Sequence, residues 1–215
     1  GLVGYWPLNE GSGSTAYDNS GWNNNGTLEG ATDLPTWTTT GCLSHGSCLN
    51  FDGTDDYVNV TSFATNHPLS STSSRTILLW INLSGYISNT NDNNEIELND
   101  GYFDYRIAYT VNSYDTCIKN SVSAYGCSSS ATPINEWLQV AFVYNNSALQ
   151  IYFNGSSVAS FSLPVTGTIG NDFLMYNPKY TSTPSPSYLG SNVYIFTTSL
   201  TSAQIQAIYN AEKPQ

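Results

Sequence analysis

Positive charge is the scarcest component of this 215-residue chain, with Lys and Arg totalling 5 against 16 Asp and Glu for a net charge of -11. Neutralising phosphates requires clustered cations, and Arg75, Arg106, Lys119, Lys179 and Lys213 are scattered singly, which excludes nucleic acid and anionic lipid as partners. Long apolar runs are missing too. Ile77 to Ile81 falls far short of the roughly 18 residues a membrane helix needs, so no membrane insertion is expected. Histidine is limited to His45 and His67, neither in a nucleophile-elbow context, and no G-x-S-x-G, P-loop or dinucleotide fingerprint occurs. Nucleophilic hydrolysis and nucleotide chemistry are thereby set aside.

What the chain has instead is neutral polarity: 24 Asn, 29 Ser and 23 Thr, with charged residues only 10% of the total. The hydrophobic content of 40% supports one substantial core, and a single domain over 1–215 is the expectation. The four cysteines fall into two locally spaced pairs, Cys42 with Cys48 and Cys117 with Cys127. Of the three possible connectivities, local pairing closes two short loops; a four-thiolate zinc site is the rival, though neither pair has C-x2-C spacing. Sequons at Asn25, Asn59, Asn82, Asn145 and Asn154 join the cysteines in pointing to a secreted, extracellular or cell-surface glycoprotein.

Periodicity reads as strand almost throughout. In RTILLWINLS, Ile77, Leu79, Ile81 and Leu83 share one side and Leu78 and Trp80 the other, as in an interior strand. EWLQVAFVYNNSALQIYFNG alternates twice about an NNS turn, the signature of a hairpin. Further strands are expected at 2–8, 49–52, 57–61, 95–98, 102–111, 158–163 and 193–196, about ten in all, and an all-β antiparallel sandwich follows. One short C-terminal helix stands apart. In LTSAQIQAIYNAEK, Thr201 and Gln204 fit a capping box, Leu200 and Ile205 a hydrophobic staple, and Ile205 with Ile208 an apolar stripe. The Pro-rich stretch 177–188 is expected to be an exposed loop.

Four stretches together resemble the laminin-G-like, concanavalin A-like jelly rolls: GLVGYWPLNEGSGSTAYDNSGWNNNGTLEGA, LNFDGTDDYVNV, EWLQVAFVYNNSALQIYFNG and VYIFTTSLTSAQIQAIYNA. The resemblance implies two curved sheets of about six strands each, loops at one rim that bind ligand, and a non-catalytic role. It also implies a structural calcium near the N-terminal acidic loop, for which Asp18, Asn23 and Asn25, with Asp52 or Asp56, are the matching ligands. Against this, Ser191 and Asn192 stand where relatives carry acidic residues on the last strand.

The glucanases with this fold use a strand motif E-x-D-x-E or its bulged form, and NEIELND at 94–100 is the nearest match. One register puts Asn99 where a proton donor is needed, and an amide cannot donate that proton. The other needs a bulge and the shorter Asp100. Glu95 and Glu97, about 6.6 Å apart at Cα, can approach the roughly 5 to 5.5 Å of a retaining pair. Their Asn-rich surroundings lack the tryptophans that stack sugars, so an outer strand with a wet acidic face is the simpler account.

Trp22, Trp37 and Tyr180 lie in polar loop sequence and are the candidate ligand-binding rings. The resulting expectation is a recognition or adhesion domain for glycan or protein. The alternatives are a self-assembling subunit of a filament, sheath or virion, and a retaining β-glucanase using Glu95 and Glu97.

Overall fold

The computed structural model describes residues 1–43, 46–61, 63, 74–85, 95–99, 103–108, 116–120, 125–128, 130–146, 148–162, 173–179 and 186–215. For residues 95–97, 103, 104, 108, 118–120, 125 and 177–179 it describes the backbone alone. Among the described residues sixteen strands and the helix α1 follow one another: β1 Leu2–Trp6, β2 Thr15–Ala16, β3 Gly26–Glu29, β4 Thr36–Thr38, β5 Cys48–Phe51, β6 Tyr57–Val60, β7 Arg75–Leu83 and β8 Glu95–Asn99 form the first half. The second half runs β9 Phe103–Ala108, β10 Thr116–Asn120, β11 Tyr125–Cys127, β12 Trp137–Asn145, β13 Ala148–Phe153, β14 Ser156–Ser162, β15 Phe173–Lys179, β16 Tyr188–Phe196 and α1 Ser202–Glu212.

They form two antiparallel sheets of eight strands each. The first has the order β14-β13-β12-β7-β16-β5-β4, with β1 also on β16, and the second β11-β10-β9-β8-β15-β6-β3-β2. Six strands go beyond the expected ten: β2, β4 and β11 span only two or three residues, β3 and β10 four and five, and β15 carries a proline. So short a run carries too little alternation to be read from sequence.

The alternation in β7 becomes the layer plan of the molecule. Ile77, Leu79, Ile81 and Leu83 point between the sheets, where they pack with Leu49, Phe51, Leu98, Ile107, Val140, Phe142, Ile151, Phe173 and Met175. Leu78 points the other way and, with Ala141, Val143 and Tyr152, is covered by Ile205 of α1 and by Leu200 and Ile208. At about 25 cal/mol per Å² of apolar area removed from water, the inner layer supplies most of the fold's stabilisation and the helix caps a second, smaller layer.

The helix begins as its sequence says. Thr201 accepts from the Gln204 amide while the Gln204 side chain reaches back to the Thr201 amide, completing the capping box. At its far end Glu212 accepts from the Trp80 indole at 2.6 Å and from the Tyr194 hydroxyl, and Tyr209 stacks on Trp80. Burial, and then the Glu212 charge, push the Tyr194 hydroxyl pKa far up, so the phenol stays a proton donor to that carboxylate.

The expected loop at 177–188 is corrected at both ends. Residues Asn177 to Lys179 belong to β15, which pairs with β8, and Tyr188 opens β16, fully within the core. A register shift in β15, with Tyr176 at φ 57, lets Pro178 sit in a ladder that a regular strand would deny it. Nor is β8 an outer strand: it lies between β9 and β15. Leu98 is fully buried, as its apolar spacing predicts.

Both disulfides have the local pairing, Cys42–Cys48 and Cys117–Cys127, so the thiolate zinc reading is corrected. Cys117 and Cys127 are direct cross-strand partners on β10 and β11, which places that bridge at a sheet edge.

Candidate functional site

A cleft of about 290 Å³ opens on the first sheet and is lined by Asn50, Asn82, Ser84, Asn135, Ser187, Tyr188 and Leu189. Strand pairing assembles it: Leu189 sits directly between Asn82 on β7 and Asn50 on β5. Period-2 alternation turns these three outward while Ile81, Leu83 and Phe51 turn in. At the rim the Ser84 amide and hydroxyl both donate to the Ser187 carbonyl, at 3.0 and 2.7 Å, and Asn135 closes the edge with its amide on the Leu83 carbonyl. Asn135 itself has φ 57, a conformation Asn tolerates better than most residues. Three asparagines thus line the cleft, and a carboxamide both donates and accepts, while the Ser84 and Ser187 hydroxyls lie 3.1 Å apart in a hydrogen bond with each other. Tyr188 directs its hydroxyl inward to the Tyr176 carbonyl at 2.7 Å.

The candidate aromatic rings separate. Trp22 is 51% exposed, on the same loop as Tyr17 at 55%. That loop is rigidly held, with Asn24 buried, its carbonyl taking the Trp6 indole N–H and its side chain donating to the Val3 carbonyl. Trp37 is different: it packs against the core and donates its indole N–H to the Gly13 carbonyl at 2.8 Å. Tyr180 lies outside the described residues. Tyr176 and Tyr188, beside the same Pro-rich segment, are core residues stacked on Phe51, and burial raises the Tyr176 hydroxyl pKa.

The five residues matched to calcium also divide between two places. Asp18 Oδ1 accepts from the Tyr5 and Ser20 amides and Oδ2 from the Ser20 hydroxyl and the Asn24 amide, at 2.8 to 3.0 Å. A carboxylate offers about four lone-pair sites, and all are taken. Asn25 Oδ1 accepts from the Asp18 amide, and Asn25 donates to Asn23 Oδ1. This set does not fit a metal; it is a self-bonded turn. Asp52 and Asp56 lie in another loop, near Asp33 and Asp55, which sequence reading passed over. Asp56 is 2% exposed, and burial, reinforced by Asp52, Asp33 and Asp55, pushes its pKa up to about 6 against the pull of the Asp52 amide. Ser191 and Asn192, where relatives carry acids, are buried at a bulge in β16.

Of the sequons, Asn145 is exposed at the end of β12 and Asn82 lines the cleft. Asn59 lies within β6, Asn25 is engaged as above, and Asn154 occupies a left-handed turn with Oδ1 on the Gln139 amide. Glu95 and Glu97 stand in register opposite Lys179 and Arg106 respectively. Their side chains lie outside the description.

Two eight-stranded antiparallel sheets facing each other across one core, with the last strand central and a capped helix on the outside, define a concanavalin-like jelly roll. The sequence profile of the laminin-G family in the concanavalin A-like lectin/glucanases superfamily matches residues 52–206, and the chain belongs to that family. No curated protein matches it. Among solved structures it is similar to botulinum neurotoxin type C, whose cell entry is dependent upon interaction with two ganglioside molecules (TM-score 0.72, 18% identity, covering 98% of this chain and 51% of that one). It is likewise similar to the binding domain of botulinum neurotoxin DC in complex with rat synaptotagmin II (0.73, 17%, 98% and 51%). A third is the binding domain of Paraclostridial Mosquitocidal Protein 1 (0.74, 16%, 98% and 52%). The chain spans about half the length of these structures.

Proposed function

We propose that the chain is an extracellular, non-catalytic recognition domain that binds an uncharged glycan of a cell surface in the cleft of Asn50, Asn82 and Asn135. The observation that carries this reading is the lining itself. Amides and hydroxyls match sugar hydroxyls as donors and acceptors, whereas an amide neither protonates a leaving oxygen nor attacks an anomeric carbon. The low density of formal charge supports an uncharged ligand over an anionic one, and the similar toxin domains that bind ganglioside or a receptor protein support a role in surface recognition.

A glycan array tests it. Uncharged glycans are expected to bind, and Asn82→Ala with Asn135→Ala to weaken them at least tenfold, each lost hydrogen bond being worth about 1 kcal/mol. An array without signal, or one unchanged by the substitutions, overturns the reading. A glycan attached at Asn82 would fill the same cleft, so intact mass should show that sequon empty. Exposed Tyr17, Trp22 and Leu34 favour a second reading, contact with a surface protein, for which Trp22→Ala is the discriminating variant. Hydrolysis of β-glucan abolished by Glu95→Gln would instead restore the enzyme.

A further inference from the structure

The outward row that floors the cleft continues past it. Trp137 on β12 is paired in register with Asn82 on one side and Leu189 on β16 on the other, so the row runs Trp137, Asn82, Leu189, Asn50. Trp137 also stands two residues after Asn135 of the rim. Its ring is half-buried and is not among the residues that fill either apolar layer. From β12 the inner layer takes Leu138 and Val140, and the layer under α1 takes Ala141 and Val143.

A short strap fixes where that ring goes. After β4 the chain turns through residues 39–42, with the Thr40 amide on the Thr38 hydroxyl at 3.0 Å. The Cys42–Cys48 disulfide then ties it to β5, where Cys48 is the ladder partner of Thr38. Gly41 lies in this turn at φ 73, a left-handed conformation that glycine adopts without penalty. Its carbonyl accepts the Trp137 indole N–H at 2.9 Å, and a Cβ on it would meet Leu189 Cδ1 at 3.4 Å. Neighbouring strands lie about 4.8 Å apart, which separates the backbones of Trp137 and Leu189 by roughly 10 Å, yet both side chains reach Gly41. The indole therefore leans across β7 toward Leu189 and borders Asn82.

Anchoring the strap would be the plainer role for this indole, since a tryptophan N–H ordinarily takes a partner. The strap, however, is closed by its own disulfide and turn bond and rests on Leu189, so it is the strap that holds the ring. A half-buried indole that fills no core, fixed beside a row of carboxamides, has the composition of a ligand wall. The geometry points to Trp137 as a ligand-contacting residue of the cleft, positioned by the disulfide-closed strap, on which a pyranose lays its C–H face while Asn82 and its neighbours take the hydroxyls at the ring edge. This rests on the reading of the cleft as a glycan site. It narrows the ligand to sugars with an unbroken face of C–H bonds, as β-pyranoses of glucose or galactose configuration have, because the negative face of an indole attracts such groups. It also makes the Cys42–Cys48 bridge part of the site, since opening it frees the strap and lets the ring turn away.

The test is titration of the intact chain with lactose and with cellobiose, followed by calorimetry and tryptophan emission. Binding is expected to change the emission of the wild type but not that of Trp137→Phe. Trp137→Ala should weaken binding about tenfold, and Trp137→Phe, which keeps a ring and loses the indole N–H, about threefold or less. Cys42→Ser with Cys48→Ser should weaken it about tenfold with the far-UV spectrum unchanged. Should Trp137→Ala fail to fold, the wild type and Trp137→Phe still decide through their emission. Binding that Asn82→Ala weakens and Trp137→Ala does not, or an emission change that persists in Trp137→Phe, overturns this proposal and leaves the glycan cleft standing. Affinity untouched by opening the bridge overturns the role of the strap. No binding of either sugar at about 10 mM, roughly ten times a weak millimolar Kd, overturns the proposal as well. A glycan array without signal removes the cleft reading along with it.

Discussion

Asp18 shows how a turn can use up a carboxylate. Its two oxygens serve four donors on Tyr5, Ser20 and Asn24, so Asp18→Ala should cost about 2 to 4 kcal/mol in chemical denaturation, several charge-assisted bonds being lost together. The same residue type has a different fate at Asp56. Its folded pKa of about 6 stands above the 3.8 of a free side chain, so the folded state holds a proton that the unfolded chain has released. In metal-free buffer this group's contribution is greatest below pH 4 and falls by on the order of 2 to 3 kcal/mol as pH rises to about 6. Denaturation curves of the wild type and Asp56→Asn across that window should differ in slope, the variant lacking this fall. Sequence shows both as Asp in an Asx-rich loop. What separates them is the supply of donors within reach, and that depends on which strands the fold brings alongside. Asp33 and Asp55 escaped notice for the same reason: they belong to the loops after β3 and after β5, which meet only once β3 pairs with β6 and β4 with β5.

Elements were legible where a pattern is long and self-contained. The strands β7, β12 and β13, each six or more residues of strict alternation, are where the sequence puts them, and α1 is announced by its capping box and staple. Strands whose identity is conferred by neighbours were not: β15 contains Pro178 and a left-handed Tyr176, and only its pairing with β6 and β8 makes it a strand. The cleft belongs to this class too, since Asn50 and Asn82 are joined only by register across β5, β16 and β7, and Asn135 only by its amide on the Leu83 carbonyl. Helix docking offers a test at this scale. Ile205 is fully buried beneath α1, so Ile205→Ala should cost about 2 to 4 kcal/mol and expose the Trp80 face, read as a red shift in tryptophan emission. Gly30→Ala should perturb the loop after β3 more than its size suggests, because the added methyl has no room beside the Asp33 carbonyl.

The whole molecule is one continuous layer of core between two sheets, with each disulfide closing a local loop rather than bridging the sheets. Reduction should therefore lower Tm while leaving the far-UV spectrum of the fold at 25 °C, the apolar layer being sufficient to hold the sheets together. As a recognition domain it should elute as a monomer near 23.4 kDa in size exclusion with light scattering. Ordered polymers would instead favour a subunit that assembles with itself.

The Glu212 clamp has a mechanical meaning. The carboxylate that holds both the Trp80 indole and the Tyr194 hydroxyl lies three residues from Gln215, so a pull on that end of the chain meets it before it meets any strand. Load on that end would peel α1 from its last turn toward Thr201, uncovering Trp80 and then Leu78. The cleft of Asn50 and Asn82 lies on strands of its own, so undocking of the helix would leave it in place.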